Sequence, residues 1–225
     1  MAIIKEDETL EDLLIDGLKI IQSKSLYRFS SDAVLLSKFA SYKKGDVVAD
    51  FCSGSGIVGL HFYALHRGVS RVDEYEIQSA LADMCGRSIE YNGIKTVFSY
   101  NIPIQQIPKE YNGKYTLILC NPPYKKSGGG EVNATDSVAI ARHEITVTLE
   151  EIIDTAAKKL APKGRFCMCQ RTERLTDVLC LMRENGLEPV RLQFIKGADK
   201  APYLFMVEGV KGVKPQLKIL SDIGN

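Results

Sequence analysis

Residues 116–120 form an apolar run, and Asn121, Pro122, Pro123 and Tyr124 follow it directly. Proline has no backbone N–H and a fixed φ, so two in succession stop a sheet ladder. The strand therefore ends at Cys120, with Asn121 at its carboxyl end, the edge at which open α/β sheets bind ligands. The chemistry that suits this corner is capture of an exocyclic amine on a nucleobase. Such a nitrogen carries two N–H donors, and its lone pair is delocalised into the ring, so it is a poor nucleophile. The Asn121 side-chain oxygen and the Pro122 carbonyl offer two acceptors that can hold both hydrogens and draw the nitrogen towards a tetrahedral shape. Tyr124 offers a flat face to the base, a contact worth about 1–3 kcal/mol. A rigid strand-to-loop turn without chemistry would use the same four residues.

A second constellation lies upstream. Residues 47–51 read as a buried parallel strand, followed by Cys52-Ser53-Gly54-Ser55-Gly56 and a helix opening at Ile57 and running to about His66. The pattern places Asp50, Gly54, Gly56 and Gly59 in the order Asp-x-x-x-Gly-x-Gly-x-x-Gly. Strand, glycine turn and helix let a backbone approach a nucleotide-like cofactor. Residues 71–76 read as the next strand, and an acid about twenty residues beyond the glycine turn can accept both hydroxyls of a ribose. Glu76 is the first choice, with Asp73 and Glu74 as alternatives. A third strand, 95–100, ends at Asn101, which can face the amino edge of an adenine or simply form the turn.

These sites need a sheet to hold them. A helix opens near Ser31 or Asp32 and ends at Gly45-Asp46; another runs from Gln78 to about Tyr91 and closes on Asn92-Gly93. Residues 125–133, with their glycine triplet, read as a loop able to close over a substrate. Arg142 can pair with a phosphate, and His143 packs, caps or reacts. A further helix is capped near Thr148, with Glu150 and Glu151 in its first turn. Strand 164–170, helix 173–185 and strands 189–195 and 203–210 complete the chain. The last two strands have no helix between them and should pair antiparallel, which favours an S-adenosylmethionine enzyme over an NAD enzyme. The fold class expected is α/β: a Rossmann-like sheet of seven strands, mostly parallel with an antiparallel final strand, and helices on both faces. Residues 1–28 read as a lead-in and 29–225 as one α/β domain.

Composition sets bounds. A chain of 225 residues with net charge +1 suits one buried domain and does not announce a nucleic-acid binder by global charge. Acids cluster near the N-terminus and cations in the last third, so one half can face phosphates. The six cysteines include no C-x-x-C pair and there are three histidines, which argues for a reducing cytoplasm and no structural metal. No apolar signal core or long apolar run is present, so no membrane association is expected.

The segments 50–56, Glu76 and 121–124, in this order and spacing, resemble class I S-adenosylmethionine-dependent methyltransferases of amino groups. More narrowly, the chain resembles the bacterial enzymes that methylate adenine N6 beside the anticodon of a valine tRNA. Phe29-Ser30-Ser31-Asp32-Ala33-Val34-Leu35-Leu36, Arg142-His143-Glu144 and Arg171-Thr172-Glu173-Arg174-Leu175 carry that narrower likeness. Two positions depart from it: Cys52 stands where relatives often have Gly or Ala, and Asn101 where many have Asp.

The resemblance implies S-adenosyl-L-methionine as cofactor and an RNA substrate, tRNA first. Gly54 and Gly56, with Cys52 and Ser55, would pass close to its methionine part, and Asp50 would steady that loop or the ammonium group. Glu76 would hold the ribose, and Asn101 with Ile102 would flank the cofactor adenine. Asn121 and Pro122 would aim the target amine at the sulfonium methyl, with Tyr124 stacked on the base and Pro123 and Arg142 also on the substrate side. No strong general base is needed, because the methylated nitrogen becomes acidic. Guanine-N2 methylation of ribosomal RNA, glutamine-N5 methylation of a protein, and cofactor binding without catalysis are the alternatives. A monomer or weak homodimer is expected.

Overall fold

The computed structural model describes residues 3–26, 31–122, 124, 147–197, 200–214 and 216–224. The segment that reads as a lead-in holds an antiparallel hairpin, β1 (Glu8–Asp12) and β2 (Lys19–Ser23). Then come α1 (Ser31–Phe39), β3 (Val47–Phe51), α2 (Ile57–Leu65), β4 (Arg71–Tyr75), α3 (Ser79–Tyr91), β5 (Val97–Tyr100) and β6 (Tyr115–Cys120). After 147 the chain continues as α4 (Leu149–Lys159), β7 (Leu160–Arg171), α5 (Leu175–Glu184), β8 (Leu187–Lys196) and β9 (Pro202–Lys211), with two-residue strands β10 (Lys218–Ile219) and β11 (Ile223–Gly224).

The main sheet runs β10-β8-β9-β7-β6-β3-β4-β5, with β11 also on β8. Seven of these strands are the ones expected, and β9 alone runs against its neighbours on both sides. The sheet has nine strands rather than seven because β10 and β11 extend its β8 edge, two residues each. Segments that short carry no hydrophobic period from which a strand can be read.

Local sequence explains most elements. Val47, Val48 and Ala49 lead a strand covered on both faces, so its apolar run is continuous. In α4, Thr148 accepts from the backbone N–H of Glu151 at 3.2 Å, and the Glu151 carboxylate accepts from the Thr148 N–H at 2.8 Å. This reciprocal cap fixes the helix start at the expected place. The helix expected from Ser31 to Gly45 stops at Phe39, and the one expected from Glu173 starts with a 3₁₀ turn at Thr172–Arg174 before α5.

Two apolar layers flank the sheet. One packs α1, α2 and α3 against Val48, Val72, Leu117 and Cys167; the other packs α4 and α5 against Phe51, Ile118, Phe166 and Phe205. The hairpin is sewn to α3. The Ile21 N–H donates to Ser88 Oγ at 2.9 Å, Lys19 and Asn92 exchange two hydrogen bonds at 2.7 and 2.9 Å, and the Arg87 guanidinium pairs with the buried Glu8 carboxylate at 2.5 Å. Leu81, Met84 and Ile21 close the seam.

Candidate active site

Register brings the sequence-separated constellations together. Phe51 pairs with Tyr75 on one side and with Cys120 on the other, and Tyr75 pairs with Tyr100. The next residue of each strand, Cys52, Glu76, Asn121 and Asn101, therefore leaves the sheet at one level, at its carboxyl edge. The connections run one way from β3 through β4 to β5, and the other way through β6 to β7. The crevice between β3 and β6 is thus a topological switch point.

The glycine turn is built against this edge. The Ser53 N–H donates to the Tyr75 carbonyl at 3.1 Å and the Gly56 N–H to the Ser53 carbonyl at 2.8 Å. Gly54 has φ +58°, and a β-carbon on it would meet nothing within 4 Å. Gly56 has φ +87°, and a β-carbon there would overlap the Cys85 thiol. Cys52 also takes φ +58°, a left-handed conformation that costs an L-residue about 1–2 kcal/mol. Glycine is favoured at this position for that reason, and cysteine occupies it under strain.

Glu76 is buried and sits immediately after β4. Its carboxylate accepts from the Gly54 N–H at 2.9 Å and from the Gln78 N–H at 2.8 Å, which ties the glycine turn to the acid. Burial pushes its pKa up, and these backbone donors pull it back. The two alternatives are occupied elsewhere. Asp73 accepts from Arg71 at 2.8 Å and from the Tyr115 hydroxyl at 2.8 Å. Glu74 lies fully buried against Gly59, where a β-carbon would overlap its carboxylate.

Asp50 lies under the turn, and its Oδ2 accepts from the Gly59 N–H at 3.0 Å. It pairs in register with Glu74, and both are buried with no cation beside them among the described residues. Burial, and then each carboxyl's closeness to the other acids, pushes both up, Glu74 well above the ordinary carboxylate range. Asp50 therefore steadies the helix start from below.

Asn101 is exposed, and its side-chain N–H groups donate to the Glu76 and Ile77 carbonyls, each at 2.9 Å. Only its Oδ1 can face a ligand. Ile102 packs partly against the core, while Ile77 is 42 % exposed beside Glu76.

At the Asn-Pro-Pro-Tyr corner Pro122 is buried and Asn121 and Tyr124 are half-buried. The Tyr124 hydroxyl lies 2.5 Å from Asn121 Oδ1, 2.5 Å from Asp32 Oδ2 and 3.6 Å from Cys169 Sγ. The sequence presents Tyr124 as a stacking ring; the fold also engages its hydroxyl. Burial, then the neighbouring Cys169 and Asp32, push that hydroxyl's pKa well up. Pro123, Arg142, His143 and the 125–133 loop lie outside the described residues.

Two buried polar residues of the site escaped the sequence reading. Asp32 reads as a helix-capping residue, yet its carboxylate reaches Tyr124 across 92 positions. Gln22 sits fully buried on the hairpin, and its Nε2 donates to Ser55 Oγ in the glycine turn. Its signal is a polar residue following Ile20 and Ile21 in a strand, which needs a buried partner. All six cysteines are free thiols, and no group of three or more His, Cys, Asp or Glu is placed to hold a metal among the described residues. No helix among them is long and apolar enough to cross a membrane.

Comparison with known proteins agrees with this geometry. A curated protein of Parabacteroides distasonis named tRNA1(Val) (adenine(37)-N6)-methyltransferase is 28% identical over 186 residues, covering 80% of this chain and 74% of its own. A predicted O-methyltransferase from Agrobacterium tumefaciens shares the fold with TM-score 0.67 at 16% identity, covering 85% of this chain and 86% of its own. TYW2 from M. jannaschii, solved in complex with AdoMet, has TM-score 0.63 at 14% identity, covering 92% of this chain and 86% of its own. Residues 29–184 match the family model described as the methyltransferase small domain. That match takes in the glycine turn, Glu76 and the Asn-Pro-Pro-Tyr corner together, so the chain belongs to the methyltransferase small domain family.

Proposed function

We propose that this chain transfers the methyl group of S-adenosylmethionine to the exocyclic N6 of an adenine in tRNA, beside the anticodon of a valine tRNA. The observation that carries the reading is the pairing of Phe51 with Cys120, which sets the glycine turn and the Asn121–Pro122 corner side by side. The relative from P. distasonis is named for that reaction.

The residues fit the cofactor. Gly54 turns an open face to the crevice, and the Ser53 hydroxyl is buried with no hydrogen-bond partner among the described residues. Glu76, tied to the Gly54 and Gln78 N–H groups, is the acid offered to the ribose hydroxyls. Asn101 Oδ1 can accept from an adenine amine, and Ile77 and Ile102 offer apolar contacts to the ring. Asp50 holds the turn in place through Gly59. Cys52, Ser55 and Gly56 complete the wall.

When bound, S-adenosylmethionine supplies an electrophilic methyl on a sulfonium. Asn121 and the Pro122 carbonyl accept the two N6 hydrogens and hold the nitrogen's lone pair towards that methyl. Alignment of this kind can supply about 7–11 kcal/mol of the barrier. The acceptors strengthen as positive charge develops on nitrogen, and water takes the proton afterwards. The base reaches the crevice only when unstacked, which favours a loop of tRNA over a helix. Pro123, Tyr124 and Arg142 belong to the substrate side of this reading. In this reading the enzyme works in the cytoplasm, where its tRNA substrate is.

The test is incubation with labelled S-adenosylmethionine and total RNA from a strain lacking the gene, followed by nucleoside mass spectrometry. N6-methyladenosine in a valine tRNA is expected. Label in guanosine, in protein, or nowhere would overturn the reading.

A further inference from the structure

We propose that Asp32 is a positioning residue that, through the Tyr124 hydroxyl, decides which end of the Asn121 amide faces the substrate. The inference rests on the amine-holding role of Asn121 proposed above.

Tyr124 Oη stands 2.5 Å from Asp32 Oδ2 and 2.5 Å from the Asn121 amide, drawn with its oxygen towards the hydroxyl. A phenol has one proton. If both neighbours presented oxygens, one of these short contacts would be lone pair against lone pair. A carboxylate can only accept, so Asp32 takes the proton in a charge-assisted bond. The third neighbour, Cys169, cannot compete, since burial pushes its thiol up to about 12 and keeps it neutral. The amide is the group that can adapt. Its oxygen and nitrogen differ little in position when it turns by half a rotation, and which is which follows from the hydrogen bonds around it.

With the proton on the Asp32 side, Tyr124 Oη offers only lone pairs to Asn121. The amide therefore presents Nδ2 to the tyrosine and turns Oδ1 away, free to accept from the target amine. Reversing the charge pattern reverses the amide. An amide at position 32 can donate to the Tyr124 oxygen, whose own O–H then donates to Asn121 Oδ1. That leaves an NH₂ group facing another NH₂ group in the crevice.

The experiment measures kcat, KM and cofactor Kd with a valine tRNA transcript for Asp32→Asn, Tyr124→Phe and the double variant, with melting curves for each. Asp32→Asn should lower kcat by about 100-fold, with cofactor Kd within about twofold and an unchanged melting temperature. Tyr124→Phe releases the amide to rotate freely and should cost less, about tenfold. The double variant should recover to the Tyr124→Phe level, because no hydroxyl remains to impose the wrong orientation. A wild-type kcat in Asp32→Asn, or losses that multiply in the double variant, would overturn the relay. A second reading needs no RNA. The side-chain amide protons of Asn121, assigned by their loss in Asn121→Ala, should exchange slowly in the intact protein and faster in Tyr124→Phe. Equal exchange in both overturns the relay whatever the substrate, whereas slow exchange in a protein inactive on tRNA overturns only the substrate reading.

Discussion

Two side chains divide the work at the reactive edge. In the proposed reading Asn121 contacts the nitrogen that reacts and Glu76 contacts only the cofactor, so their losses should separate. Asn121→Ala is expected to lower kcat by about a thousandfold, the scale seen when one preorganised polar group is removed from a reacting centre. Cofactor affinity by calorimetry should move by less than about twofold. Glu76→Ala removes an acceptor for two hydroxyls together with the anchor of the Gly54 N–H. A lost charged hydrogen bond is worth about 1.5–3 kcal/mol, so cofactor Kd should rise by about 10- to 100-fold in the same calorimeter. Unchanged affinity would remove Glu76 from the ribose. The sequence singled out both residues because each stands at a strand end marked by its neighbours: two prolines after Asn121, and a spacing of about twenty residues from the glycine turn for Glu76.

The hairpin links an element outside the main sheet to the cofactor turn. Gln22 reaches Ser55 from β2, while β2 itself is held to α3 through Ser88 and Asn92. Gln22→Ala should raise cofactor Kd about three- to tenfold, the equivalent of one hydrogen bond. The melting temperature should fall as well, because Ser55 is left with a buried, weakened environment. If affinity is untouched while stability falls, the hairpin supports the fold and not the turn. None of this could be read from the hairpin's own sequence. Gln22 stands out there only as a polar residue after Ile20 and Ile21, and its partner lies 33 positions away.

Across the whole molecule, opposed buried titrations shape stability against pH. His61, hydrogen-bonded to Ser37 at 2.6 Å, is driven down to about 4 by burial from an ordinary 6.5. Between those values the unfolded chain binds the extra proton, so stability is lost as pH falls from 6.5 towards 4. The Asp50–Glu74 pair works in the other direction. Its folded pKa values lie above the ordinary 3.8 and 4.5, so the folded chain binds more protons, and its contribution fades as pH rises through the folded values. The two windows overlap between about pH 4.5 and 6.5, where two carboxyl protons outweigh one imidazole proton, so these groups together make denaturant midpoints fall as pH rises through that window. His61→Gln should steepen that fall, by removing the opposing titration, and Glu74→Gln should flatten it. A midpoint in Glu74→Gln that falls with pH as steeply as in the parent would show that the pair carries no proton. The sequence by itself determined the seven main strands, the antiparallel last strand, the glycine turn and the stop of a strand at the Asn-Pro-Pro-Tyr corner. Those follow from backbone chemistry that acts locally: apolar runs, glycines that permit positive φ, and prolines that end ladders. Only the tertiary structure decided that Glu74 is withdrawn beneath Gly59, that Gln22 enters the cofactor turn, and that Asp32 meets Tyr124. Each is a contact between distant buried polar groups, and a buried polar group announces that it needs a partner without saying which.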